Sequence, residues 1–288
     1  MERPFASVLI PTRNPGPRIR RVLDAVFAQD VDFAFEVVVV DSDSCAADVD
    51  IMRGYPIVFR QIQVSEFGHG RTRNHLGKLS QGRVLFYLSQ DAEPSGPEWM
   101  RWLGKSLDDA AVAGVYARQI PQPDADPLIR FFLARTYTDQ PARRHVAHAG
   151  AVGIDDIFFS NVSSALRRDV WERFPFRDVT MSEDQYWAHD VLKAGYDVLY
   201  QPAAQVFHSH NYSLRTLYRR NWQSGASLRG LIADPPGAIA RRGVAYVATQ
   251  AAYLLRNGRA HWLPYMLAYE ATKAIAFSMG LRFGHQPF

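Results

Sequence analysis

The chain lacks most of the features that would declare its class. Among 288 residues there is one cysteine, Cys45, which excludes an internal disulfide and fits a reducing compartment. No window reaches the ~18 uncharged apolar residues that a membrane span needs. The nearest approach, LPYMLAYEATKAIAFSMG, is broken by Glu270 and Lys273. The opening MERPFASVLIPTRN holds an apolar run of at most six residues, too short for a secretory leader. Excess charge is also scarce: 33 Lys and Arg stand against 29 Asp and Glu, a net +4, with a pI of about 9.2. That balance suits an anionic substrate or a negatively charged membrane surface. No nucleic-acid module accompanies it, so no nucleic-acid partner is expected. A GxxxxGK(S/T) loop, a GxGxxG after the first strand, and CxxC or HExxH pairs are all missing. Ordinary P-loop, dinucleotide and common zinc chemistries therefore have no motif to stand on.

What is present is an alternation. FASVLIP (5–11) and FEVVVVDSDS (35–44) are apolar runs of the kind a strand buried on both faces requires, and IVFRQIQV (57–64) and RVLFYLSQ (83–90) read as a third and a fourth strand. Between them, PRIRRVLDAVFAQ, AADVDIMRG and GRTRNHLGKLSQG have helical spacing, the last closed by Gly82. Strand, helix, strand, helix with short connections predicts an α/β fold with a mostly parallel sheet flanked by helices. Further helices are expected over 97–110, near 127–137, over SSALRRDVWERF (163–174), and over SEDQYWAHDVLKAG (182–195), with Ser182 as its cap and Gly195 as its end. From about residue 213 the pattern is helical throughout. The domain reading is 1–212 for the catalytic unit and 213–288 for a C-terminal helical extension. Parallel sheets bind ligands beyond the carboxyl ends of their strands. Thr12-Arg13-Asn14, Asp41-Ser42-Asp43 and Gln90-Asp91 fall at three such ends.

VLIPTRNPG, VVVVDSDS, FGHGRTRN, LSQDAEP, SEDQYWAHDVLKAGY and VFHSHNYSL follow one another in order. Together they resemble a family 2 glycosyltransferase of the GT-A fold, most of all the bacterial rhamnosyltransferase branch that builds surface polysaccharides. The resemblance covers about residues 5–232 and rests on six motifs in register rather than on any one. It implies a Rossmann-like domain, a nucleotide-diphosphate sugar as donor, a saccharide or lipid-linked saccharide as acceptor, and Mg²⁺ or Mn²⁺ as cofactor.

The same resemblance assigns residues. The family's Asp-x-Asp metal motif falls on Ser89 and Asp91, so one carboxylate is missing. As a metal ligand Asp91 would help to neutralise the departing diphosphate; as a plain residue it is a strand-end carboxylate in a solvated turn. Glu93 is a further candidate or a turn residue. Relatives complete the metal shell with a histidine in the region of FHSH, which points to His208 ahead of His210; without that context both are ordinary surface histidines. The Glu183-Asp184 pair supplies the general base, with Asp184 taking the proton of the acceptor hydroxyl and Glu183 positioning. Alone, both are acids favourably placed in a first helical turn. Thr12, Arg13 and Asp41 (or Asp43) resemble the pocket for uracil or thymine, and Gln90 lies beside it. Arg71 and Arg73 are candidates to clamp the diphosphate or merely a basic helix face. His69, between Gly68 and Gly70, can approach the sugar. Asn161 is a weaker acceptor-side candidate.

The expected activity is inverting transfer of a sugar, foremost L-rhamnose from dTDP-L-rhamnose. A UDP-hexose-dependent transferase and a catalytically inactive nucleotide- or glycan-binding relative are the alternatives. The expected location is cytoplasmic. The Tyr-, Trp- and Arg-rich tail either packs on the catalytic unit or rests on the inner face of the plasma membrane.

Overall fold

The computed structural model describes residues 4–146, 153–231 and 236–284. The expected alternation forms β1 (Ala6–Thr12), α1 (Arg18–Phe27), β2 (Phe35–Ser42), α2 (Ala46–Arg53), β3 (Val58–Ile62), α3 (His69–Leu79) and β4 (Val84–Leu88). Val8, Leu9, Ile10, Val38, Val39, Phe86 and Tyr87 are fully buried, because helices cover both faces of these strands. There follow β5 (Glu93–Pro94), α4 (Trp99–Lys105), β6 (Val112–Ile120), α5 (Pro127–Thr136), β7 (Ala142–Arg144), β8 (Ser163–Arg167), α6 (Arg168–Arg173), α7 (Glu183–Lys193) and β9 (Asp197–Phe207). Three helices close the chain: α8 (Leu214–Ser227), α9 (Pro236–Arg256) and α10 (Leu263–Phe283).

One nine-stranded sheet runs β3-β2-β1-β4-β8-β6-β9-β5, with β7 paired to β9. β1, β2, β3 and β4 are parallel. β8 is antiparallel to both β4 and β6, and β6 is parallel to β9. Two reversals restore direction, so β1, β2, β3, β4, β6 and β9 all end at the same edge. β8 begins there, since Ser163 pairs with Leu88.

Several expectations are corrected. Ser163–Arg167 is a strand, and only Arg168–Arg173 is helical. Ladders on both sides override the helical spacing, and the buried Ser163 hydroxyl is satisfied by the indole N–H of Trp99 at 2.8 Å. α3 ends at Leu79 with Ser80, not Gly82, as its cap. Gly82 instead meets β1, its N–H donating to the Ser7 hydroxyl at 2.8 Å. Ser182 makes no side-chain cap and sits in the left-handed region at φ 66°, while Gly195, at φ 87°, does follow the end of α7. β5, β7 and β9 had no counterpart in the sequence pattern.

α8 and α10 cross at close range. A methyl group on Gly225 would stand 2.2 Å from the Phe277 carbonyl oxygen, and one on Gly280 2.1 Å from that of Trp222. The Trp222 indole donates to the Gly284 carbonyl at 2.9 Å. α8, α9 and α10 pack on α5, with Leu217, Leu254, Met266 and Tyr269 against Leu128. Among the described residues no helix is long and apolar enough to cross a membrane. Gly225→Ala or Gly280→Ala must push these backbones apart, an overpacking that costs about 1–3 kcal/mol. The expected fall in Tm is several degrees in differential scanning calorimetry, and an unchanged Tm would contradict the crossing.

Candidate active site

Asp91 lies past the end of β4. Two residues on, Glu93 pairs with Phe207 in the short β5–β9 ladder, which brings the Asp91 turn against His208 and His210 just beyond β9. The three side chains converge, their ligand atoms all within 4.8 Å of one another. His210 Nε2 is 3.2 Å from Asp91 Oδ2 and 3.2 Å from His208 Nε2, and His208 Nε2 is 3.6 Å from Asp91 Oδ1. Ligand atoms bound at right angles about 2.1 Å from one cation stand about 3.0 Å apart. The trio therefore fits a divalent ion, and the residues that would hold it are Asp91, His208 and His210. Burial alone would raise the Asp91 carboxyl, but the hydrogen bond with His210 and the two imidazole charges pull it down to about 2. Burial, against the attraction of Asp91, lowers His208 to about 4. Near neutral pH this is an ionised carboxylate beside a neutral imidazole, the forms that bind metal. Glu93 faces elsewhere, paired with Arg21 of α1 at 2.8 Å.

His210 lies flat on Tyr212, with ring centroids 5.3 Å apart, and Arg220 of α8 covers Tyr212 at 5.0 Å. The extension thus supplies a cation to the rim of the site, where the Arg220 and Arg18 charges both act on His208. Arg220 and His210 rank above their standing in the sequence reading. The HSH alternation was a legible sign for His210, whereas nothing local marks Arg220.

The second cluster forms where α7 begins beside β8. The Asn161 backbone N–H donates to Asp184 Oδ2 at 3.1 Å, and its side-chain amide donates to Glu183 Oε1 at 3.3 Å. Ser164 Oγ holds the Asn161 carbonyl oxygen at 2.9 Å. Arg73 is buried against Glu183 at 3.0 Å. Burial works to raise Glu183, but the Arg73 and His69 charges hold it below the ordinary carboxylate value. For Asp184, burial and the Glu183 charge act together and push it up to about 7. A carboxyl poised there is suited to proton transfer at neutral pH. His69 opens α3 with its carbonyl oxygen accepting from Arg73 at 3.2 Å. Burial and the Arg73 and Arg220 charges lower it against the pull of Glu183.

The expected nucleotide pocket is rearranged in detail. Asp41 is fully buried. It accepts from Thr12 Oγ1 (2.8 Å), the Ser44 N–H (2.9 Å), Ser44 Oγ and Gln61 Nε2 (3.2 Å). Here it braces two strand ends, and the carboxylate left exposed at this point is Asp43, at φ 60°. Gln90 closes on the Arg13 peptide, accepting its N–H at 2.7 Å and donating to its carbonyl at 3.2 Å. The Arg13 side chain is exposed. Of the expected clamp, Arg73 is committed to Glu183, while Arg71 makes an exposed ion pair with Asp178 at 3.2 Å. A cavity of about 580 Å³ lined by Arg83, Leu107, Arg167 and Arg168 lies at the opposite edge, where β1 and β4 begin, and holds none of these residues.

Residues 7–174 match the family Glycosyl transferase family 2, and the chain belongs to that family. It is 30% identical over 281 residues to the O-antigen chain rhamnosyltransferase RfbN of Salmonella typhimurium, covering 95% of this chain and 88% of the relative. To the O-antigen chain rhamnosyltransferase WbaN of Salmonella anatum it is 28% identical, covering 96% and 89%. Its fold is similar to that of a mannosyltransferase from Pyrobaculum calidifontis, solved with GDP-Man and Mn²⁺. That likeness has a TM-score of 0.65 at 22% identity, with 96% of this chain and 88% of the other covered. The fold is thus GT-A, the chain a rhamnosyltransferase-like family 2 glycosyltransferase.

The ionisation of Asp184 sets the direction of a pH effect. As the expected base, Asp184 would accept the proton in its deprotonated form, so sugar transfer should then fall below about pH 7 in proportion to the protonated fraction. Glu183→Gln removes the neighbouring negative charge, and the acid limb should move to lower pH. A limb that stays in place, measured from kcat/KM against pH, would separate Glu183 from Asp184.

Proposed function

We propose that this chain is a divalent-metal-dependent, inverting rhamnosyltransferase. It moves L-rhamnose from dTDP-L-rhamnose to a saccharide on a lipid carrier in surface-polysaccharide assembly. The convergence of Asp91, His208 and His210 on one point, at the sheet edge that also carries Asp184, is the observation behind the reaction class. The two O-antigen rhamnosyltransferase relatives support the sugar. Asp184 accepts the proton of the acceptor hydroxyl as that oxygen bonds to the anomeric carbon. The bond from that carbon to the diphosphate breaks on the opposite face, and one such displacement inverts the centre. Glu183, neutralised by Arg73, and Asn161 hold Asp184 in place. A cation in the Asp91 cluster supplies charge to the leaving diphosphate, and Arg71, Arg13 and Arg220 are the exposed side chains offered to the phosphates. Asp43 and Thr12 border the base. Two nitrogen donors beside one carboxylate favour Mn²⁺ over Mg²⁺, which prefers oxygen ligands.

A ligand that binds only the folded state raises Tm by mass action. dTDP-L-rhamnose with Mn²⁺ should give the largest thermal shift among nucleotide sugars, and Asp91→Ala should abolish the metal's part of it. A larger shift with a UDP-hexose would replace the donor. Binding without turnover, or transfer that survives Asp184→Asn, would favour the inactive relative or a different base.

Location at a membrane surface rests on a separate observation. Val244 and Leu255 of α9, and Leu267 and Ile275 of α10, are each more than half exposed, while residues 236–284 carry six basic side chains and one acid, Glu270. This pattern suits anionic lipid. Leu255→Asp with Leu267→Asp should abolish flotation with phosphatidylglycerol vesicles yet leave transfer to a soluble acceptor unchanged.

A further inference from the structure

Gln119 belongs to no motif, and the mechanism above does not use it. It lies next to the last residue of β6 and is 7% exposed. Both ends of its amide are engaged. Oε1 is 2.8 Å from His208 Nδ1, and Nε2 is 2.5 Å from the Tyr137 hydroxyl and 3.0 Å from Ser160 Oγ. We propose that Gln119 is a positioning residue that fixes the tautomer and aim of His208, so that its Nε2 lone pair faces Asp91 and His210. This deepens the metal-dependent reading and rests on it.

The argument runs through proton inventory. An amide oxygen carries no hydrogen, so the Nδ1 that approaches it must be the donor. A neutral imidazole with its proton on Nδ1 has its lone pair on Nε2. That atom is the one 3.2 Å from His210 Nε2 and 3.6 Å from Asp91 Oδ1. If the amide were turned end for end, its NH₂ would face Nδ1, the ring proton would move to Nε2, and the ligand would be lost. On the far side the amide NH₂ donates to the hydroxyls of Tyr137 and Ser160, which are 3% and 8% exposed. The backbone ladder holds the remaining coordinates, because the His208 N–H donates to the Ile120 carbonyl at 3.0 Å and Gln119 pairs with Val206. Histidines that bind metals commonly have their second nitrogen held by such a partner, whose loss weakens metal binding about 10–100-fold.

The same amide reaches the other half of the site. Ser160, its acceptor, precedes Asn161, whose N–H holds Asp184. One buried side chain thus ties the cation ligand to the segment that carries the base, without touching substrate.

The test measures Mn²⁺ binding directly, by the electron paramagnetic resonance signal of free Mn²⁺ titrated with protein, independent of activity. Gln119→Leu should weaken Mn²⁺ about 10–100-fold. Gln119→Glu, which keeps an oxygen facing Nδ1, should restore binding to within a few-fold of wild type. A residue that only fills space would give two equally weak or two unaffected variants, and either result overturns the proposal. In the wild-type protein, ¹⁵N chemical shifts of His208 should report a protonated Nδ1 and an unprotonated Nε2; the opposite tautomer also overturns it, even where Gln119→Leu fails to fold. Wild type that binds no Mn²⁺ while showing the expected tautomer would remove the metal reading and leave the placement of His208 standing.

Discussion

The site depends on a two-residue ladder. Glu93 and Pro94 pair with Phe207 and Val206, joining the turn after the fourth strand to the end of the ninth. The chain separation is more than a hundred residues, so the loop-closure entropy is large and must be met by the sheet between them. That sheet is β8, β6 and β9, and β9 fits only because it bulges. Ala117 and Arg118 are neighbours on β6, but their partners on β9 are Gln201 and Gln205. The extra residues include Pro202, which cannot donate to a ladder and is tolerated where pairing lapses. Beyond the bulge the register places Phe207 opposite Ile120 and delivers His208 beside Gln119. A slip by one residue would turn the histidines to the other face.

Electrostatics divides the crevice into two halves of different character. At the Asp91 cluster, the hydrogen bond with His210 and the two imidazole charges keep Asp91 ionised against its burial. At the base cluster, two carboxylates share a buried corner with one guanidinium. Arg73 contacts Glu183, while Asp184 accepts from the backbone N–H groups of Asn161 and Gln185, so one carboxylate is held down and the other is raised. Two acids adjacent in sequence thereby acquire opposite pKa shifts, the separation by environment that distinct acid and base tasks would require. The arrangement also strains the fold. A carboxyl raised on folding contributes stability at low pH that is lost as pH rises through about 7.

The first half of the fold was legible in residues because β1, β2 and β4 are buried on both faces and the connections are short, so pattern and topology coincide. The family was legible for a different reason, a shared motif order, and Asp91, His208, Glu183 and Asp184 were singled out as candidates through it. What escaped was decided by distant pairing. Ser163–Leu166 has no alternation to announce a strand, since a strand enclosed on both sides has two inward faces. Gln119 and Arg220 gain their places through β6–β9 pairing and through the packing of α8, and no window of sequence contains either. Asp41 shows the converse. Its position at a strand end was correctly read, yet Thr12, Ser44 and Gln61 converge on it and occupy its oxygens, a matter of side-chain company that spacing does not encode.

The substitution at Ser89 changes more than a ligand count. Two carboxylates would neutralise a divalent ion, leaving the diphosphate to meet a site with little net charge. One carboxylate and two imidazole ligands would leave such an ion with a unit of positive charge, and Arg18 and Arg220 lie near His208 at the rim. In a crevice of reduced dielectric that surplus acts strongly on the charge that builds on the leaving oxygen. Imidazoles also cost less to bury than a second carboxylate, since His208 is already neutral in the folded protein. The loss of the first acid of Asp-x-Asp therefore need not weaken catalysis. For a cation bound here, the burden of holding it would fall on β9 and on the amide that aims its histidine, and the electrostatic pull on the departing diphosphate would be larger.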